Sequence, residues 1–247
     1  MSAFTTIVTV QTKRTLRDPA STFFMLAFAP MLAVALGLIF GNDPVPEFGN
    51  RGYLDANLVS FTGIIVVISG LIVTPVDLIT QRESGALRRF RATPLRPVVY
   101  IAADVVVRFV ISLVGIALMI AIGVLGFGAR LDGSAVSILL AAALGTLAFL
   151  AVGYVLAAAL PSQGVALAVG NVLVYPLILL SGAAVPLSVL PDGVRQAARF
   201  SPLTQMVQLL QGLWAGEAWS AHWVPLVVLV GLLAVATAVA ARFFRWE

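Results

Sequence analysis

Asp104 and Arg108 stand four residues apart inside the apolar stretch "VVYIAADVVVRFVISL". On a helix that spacing puts both side chains on one face. Each charge costs about 2.5–3.5 kcal/mol at the centre of a bilayer on insertion scales, and an ion pair offsets part of that cost. Two chemistries suit the arrangement. One is an internal salt bridge that only holds the helix. The other is a relay from the charged segment that follows the second apolar stretch to a gate, with Asp77, at the inner end of that stretch, as a further member. Asn171, in "GNVLVYP", is a third intramembrane polar position. It suits a substrate path or a hydrogen bond across a dimer interface, although neighbouring Gly170 and Pro176 point to close packing and a kink.

The second concentration of chemistry is "QRESGALRRFRATPLRP", Gln81 to Pro97. Five of the fifteen basic residues fall there: Arg82, Arg88, Arg89, Arg91 and Arg96. Thr80 and Glu83 are spaced for a capping box that opens a helix. Gly85 permits a bend, and Pro94 ends whatever helix precedes it. Between them Leu87 and Phe90 fall on one side, with Arg88, Arg89 and Arg91 around the rest. A short, basic, capped helix with an apolar ridge suits docking into a groove of a partner. The plainer reading is a basic loop held at anionic headgroups.

Other chemistry is excluded by scarcity. The chain has one lysine, Lys13, in "QTKRT", where no glycine-rich turn could bring it to a phosphate, so a P-loop is absent. With one histidine and no cysteine, a histidine-, carboxylate- or thiolate-ligated metal site has too few donors. His222 lies between Trp219 and Trp223, as in an interfacial aromatic belt. No catalytic constellation is visible.

The elements that position these residues follow from composition. The 247 residues are 60% hydrophobic and 11% charged, where a soluble domain is nearer a quarter charged. A bilayer is the matching solvent. Six apolar stretches are long enough to span it, near residues 22–40, 57–79, 98–127, 134–160, 164–181 and 223–241. None alternates with a two-residue period, so helices rather than a barrel are expected. The N-terminal run is too long for the core of a cleaved leader and reads as a retained span. Residues 4–17 suit a helix lying in the interface. Residues 183–222 suit helices that re-enter the outer leaflet between spans five and six, with Ser201 and Pro202 as a strong helix start. Lys13, Arg14, Arg17, the five loop arginines, Arg242 and Arg245 share one side of a six-span layout, which places both termini in the cytoplasm. The whole chain, 1–247, then forms one transmembrane domain with a cytoplasmic loop at 80–97. The net charge of +4 is spread between apolar runs and offers no nucleic-acid footprint.

The stretch "ESGALRRFRATPL" (Glu83–Leu95) resembles the first cytoplasmic loop of type-2 ATP-binding-cassette (ABC) exporter permeases, the family that includes bacterial multidrug and antibiotic efflux permeases. "LRDPASTFFMLAFAPMLAVALGLIFG" (Leu16–Gly41), "LSGAAVPLSVLP" (Leu180–Pro191) and "SPLTQMVQLLQGLW" (Ser201–Trp214) are similar to further segments of that family, in the same order. The resemblance implies a multi-pass permease subunit in a bacterial plasma membrane, paired with a second permease copy, most simply as a homodimer. It implies two separate ATPase subunits that hold the ATP and magnesium, and no cofactor or enzyme activity in this chain. The 80–97 loop becomes the coupling helix. Glu83, Gly85, Leu87 and Pro94 match the family pattern there, and Arg88, Arg89 and Arg91 form its basic face. The implied cargo is hydrophobic or amphipathic: a drug, a lipid or a lipid-linked metabolite. The competing expectation is an ATP-independent secondary transporter that uses Asp104 and Arg108 for ion coupling. Such proteins are usually built from repeated halves with matching broken helices, and the sequence shows neither.

Overall fold

The computed structural model describes residues 3–44, 52–85, 97–182 and 191–243, and among these the regular structure is entirely helical. Helix α1 is Ala3–Arg17. Asp18 then caps α2 (Pro19–Thr22), its carboxylate accepting from the Ala20 N–H. A π turn at Phe23–Ala27 joins α2 to α3 (Phe28–Phe40). Helix α4 (Tyr53–Ile68) continues through a second π turn, Ser69–Val73, into α5 (Thr74–Glu83). Helix α6 (Pro97–Ala121) ends in a third, Ile122–Gly126. Then follow α7 (Ala135–Ala159), α8 (Gln163–Leu180), α9 (Asp192–Ala198), α10 (Pro202–Trp214) and α11 (Trp223–Phe243), the last entered through a 3-10 turn at Trp219–His222.

Five helical runs are long and apolar enough to cross a membrane: Tyr53–Glu83, Val99–Gly126, Ala135–Ala159, Gln163–Leu180 and Trp219–Arg242. Phe28–Phe40 is a shorter apolar helix. Large apolar side chains lie exposed along these elements, including Leu38, Val172, Tyr175, Val227 and Val235. In water such faces would drive association; against hydrocarbon they cost nothing. The protein is a multi-pass membrane protein.

The run Tyr53–Glu83 lies at the centre, with two-thirds of its apolar window buried, against one-sixth for the α8 and α11 runs. Close packing there rests on small residues, as expected where lipid supplies no hydrophobic drive between helices. A Cβ on Gly153 of α7 would meet the Gly70 carbonyl oxygen at 2.1 Å, and one on Gly170 of α8 would meet the Leu71 carbonyl oxygen at 2.7 Å. Both contacts fall on the Ser69–Val73 π turn. At its end the Ser69 carbonyl accepts twice from Thr74, from the backbone N–H and from the hydroxyl at 2.8 Å.

Helix α10 is inserted in the bundle. It packs on α4, α7 and α11, and buries Leu203, Met206, Val207, Leu210 and Leu213. The Ser201 hydroxyl accepts from the Thr204 N–H and Pro202 opens the helix, as the Ser-Pro pair predicts.

One expectation is corrected. Thr80 and Glu83 form no capping box. Helix α5 begins at Thr74 and runs through both, so the N–H groups near Thr80 already lie in a helical ladder and need no cap. The Thr80 hydroxyl instead donates to the Val76 carbonyl at 2.7 Å.

Candidate functional site

Four helices meet at the end of the bundle that carries Glu83, and their polar residues join into one buried network. Helix α6 contributes Tyr100, Asp104 and Arg108. These recur every fourth residue, so one face of an otherwise apolar helix is polar. Arg108 Nε donates to Asp104 Oδ2 at 2.8 Å, and both side chains are 0% exposed. The other arm of Arg108, through Nη2, reaches Asp77 Oδ2 on α5. Arg14 of α1 bonds the second oxygen of Asp77 at 2.5 Å. From α7, the Tyr154 hydroxyl donates to Asp104 Oδ2 at 2.5 Å. Gln81, one turn beyond Asp77, donates to it at 3.2 Å and accepts from the Tyr100 hydroxyl. Buried Gln11 of α1 is a further partner of Tyr100.

The core of this network has two arginines and two aspartates, so it is neutral. A neutral, cross-linked set is the arrangement that keeps ionised groups in a low-dielectric bundle. Asp104 Oδ1, Arg108 Nη1 and Ser112 Oγ, all buried, have no hydrogen-bond partner among the described residues. No three His, Asp or Glu among the described residues could hold a metal ion.

The network lies beside an apolar cavity of about 390 Å³ between α6, α7 and α11. Ile101, Val105, Leu147, Leu233 and Thr237 line it together with Tyr154, which thus touches both cavity and ion network.

At the tip of α5, Arg82 and Glu83 reach the turn between α7 and α8. Arg82 donates to the carbonyls of Ala157 (3.4 Å), Leu160 (2.6 Å) and Pro161 (3.2 Å). Glu83 Oε1 accepts from the Gln163 N–H at 3.1 Å. Gly85 follows with φ +73°, a left-handed conformation that ends the helix. Leu87, Arg88, Arg89, Phe90, Arg91 and Pro94, the remaining residues expected to couple to an ATPase, lie outside the described residues.

Of the intramembrane polar residues singled out in the sequence, Asp77, Asp104 and Arg108 come together, whereas Asn171 makes no hydrogen bond to them. Gln11, Arg14, Gln81, Tyr100 and Tyr154 were missed as members. A signal existed for the tyrosines, since a buried tyrosine usually finds a partner for its hydroxyl. Position 14 carried none beyond its charge. His222, expected only at an interface, pairs with Glu217 Oε2 at 2.9 Å and packs over Gly212.

The sequence model of the ABC-2 type transporter family matches residues 2–214, which takes in every residue of this network. The chain belongs to the ABC-2 type transporter family. As an ABC-2 type membrane domain it is a transport permease and not an ATPase domain, and members of the family work with ABC ATPase partners and dimerise. No curated protein matches the chain significantly.

Proposed function

We propose that this ABC-2 type permease is the membrane subunit of an ATP-driven exporter for a hydrophobic or amphipathic cargo, powered by separate ATPase subunits that dock on the 80–97 loop. The observation that carries this reading is the unbroken helical run Tyr53–Glu83. It leads from the most buried part of the bundle to the base of the arginine-rich loop, so a push on the loop is delivered to the core along one continuous helix. Glu83, Gly85, Leu87, Arg88, Arg89, Phe90, Arg91 and Pro94 form the docking element. ATP and magnesium belong to the partner subunits. The apolar cavity beside Tyr154 supports an apolar cargo.

The membrane layout has six crossings. The uninterrupted helical run Pro19–Phe40 supplies the first, since at about 1.5 Å per residue it reaches across a hydrocarbon core of roughly 30 Å. Both termini then face the cytoplasm with the basic loop, α1 lies along the inner interface, and α9 and α10 form the outer segment. Two copies of the chain and two ATPases complete the transporter. The balanced charges around Arg108 support a holding role for Asp77, Asp104 and Arg108 over ion coupling.

The test is co-expression with the cognate ABC ATPase and affinity purification. Arg88→Glu with Arg89→Glu should leave the permease in the membrane and abolish recovery of the ATPase. A complex recovered undiminished would remove the docking role from those arginines, and transport by ATP-free vesicles driven by an ion gradient would overturn the ATP-driven reading.

A further inference from the structure

Arg82 and Glu83 are adjacent on the last turn of α5, yet they grasp opposite sides of one distant turn. Arg82 binds carbonyls at the C-terminal end of α7, where the last residues have no helical donors to satisfy them. Glu83 accepts from Gln163, the first residue of α8, whose N–H is likewise without a helical partner. The signs suit the termini. A cation sits at a helix C-terminus and an anion at a helix N-terminus, so each ion pairs with the favourable end of a helix dipole. The Ser162 hydroxyl, accepting from the Val165 N–H, completes the cap of α8.

We infer that Arg82 and Glu83 are positioning residues that tie the α7–α8 turn to the base of the coupling loop, so that a displacement of the loop moves α5, α7 and α8 together. Without the tie, the loop, joined to α5 and to α6 at its two ends, would reach the α7–α8 turn only through side-chain packing between helices. The tie also sits where the continuous helix stops. Ser84 still donates to the Thr80 carbonyl, and Gly85, at φ +73°, ends the helix. A load that enters through Gly85 therefore meets α5 at the two residues that hold the turn. This inference rests on the docking role proposed for the 80–97 loop.

Hydrogen–deuterium exchange on the permease–ATPase complex tests it, with and without ATP and vanadate. In the parent complex the trapped nucleotide should change exchange at residues 80–97 and at residues 155–168 together. In Arg82→Gln the change at 80–97 should persist while that at 155–168 shrinks about fivefold or more, the low end of typical coupling between sites. The chain has no cysteine, so Arg82→Cys with Leu160→Cys can be bridged by a short bis-maleimide on the purified permease, before the ATPase is added, without background labelling. The bridge should restore the nucleotide response at 155–168, although the Arg82 guanidinium is gone. A merely structural loss of the cap would raise exchange there in all conditions and leave the nucleotide-dependent difference intact, which would overturn the inference. So would a full response in Arg82→Gln without the bridge. If the parent complex shows no nucleotide response at 80–97, the docking role itself fails and the tie falls with it.

Discussion

Arg108 donates from Nε to the carboxylate of Asp104, one turn earlier on the same helix, at 2.8 Å, with neither side chain exposed. The pair cannot be understood alone. Arg108 also binds Asp77 of α5, and Asp77 binds Arg14 of α1, so the charges cancel only as a set. Removing Arg108 leaves two carboxylates facing one arginine. Arg108→Met should therefore cost about 3–5 kcal/mol, the usual penalty for orphaning a buried charge. Asp104→Asn with Arg108→Met leaves the neutral Arg14–Asp77 pair and should recover much of that loss. Thermal unfolding of the four members of this double-mutant cycle in lipid nanodiscs measures the coupling; additive losses would show that the two residues do not share a charge balance.

Arg14 is the only arginine of α1 placed in this network, and its side chain is 39% exposed. Its bond to Asp77 is thus partly screened and holds α1 rather than the bundle. Arg14→Ala should loosen α1 while sparing the core. The expected result is faster proteolysis or amide exchange over residues 3–17, with the melting temperature of the whole protein lowered by only a few degrees. Unchanged protection of α1 would mean that Ile7 and Gln11, both buried, hold the helix unaided.

The contact between Gly153 and the π turn at Ser69–Val73 is a steric limit. Gly153→Ala puts a methyl 2.1 Å from a backbone oxygen, so α7 must shift, at a cost of about 1–3 kcal/mol typical of overpacking. Gly164→Ala, in the first turn of α8, meets nothing within 4 Å and should be neutral or stabilise by up to about 1 kcal/mol. Parallel melts of the two variants check the contrast, and equal behaviour would rule out close backbone approach at the π turn.

Helix α10 is tied to α4 by Gln211, whose side-chain amide donates to the buried Ser60 hydroxyl at 2.7 Å. Interhelical hydrogen bonds in membrane proteins average about 0.6 kcal/mol. Ser60→Ala should cost about that much, and the Ser201 cap, lost in Ser201→Ala, about 1 kcal/mol. The sum should be additive, because one site holds the start of α10 and the other its third turn. Chemical unfolding monitored by the fluorescence of Trp214, at the end of α10, in a background with Trp219, Trp223 and Trp246 replaced by Phe, follows both.

What the sequence determined by itself is what lies within a turn or two of helix. Apolar runs longer than a bilayer is thick dictate membrane helices, because hydrocarbon offers the backbone no partner outside its own ladder. Asp104 and Arg108 at four-residue spacing dictate a shared face, and Ser201-Pro202 dictates the start of α10. The tertiary structure decided which faces meet. Only packing could bring Arg14 and Arg108 onto the two oxygens of Asp77, 63 and 31 residues away, or set Tyr154 over Asp104. It also reversed the local reading of Thr80 and Glu83. Their spacing fits a cap in any sequence, but α5 had already begun at Thr74, and the carboxylate of Glu83 was left to serve the helix that starts at Gln163.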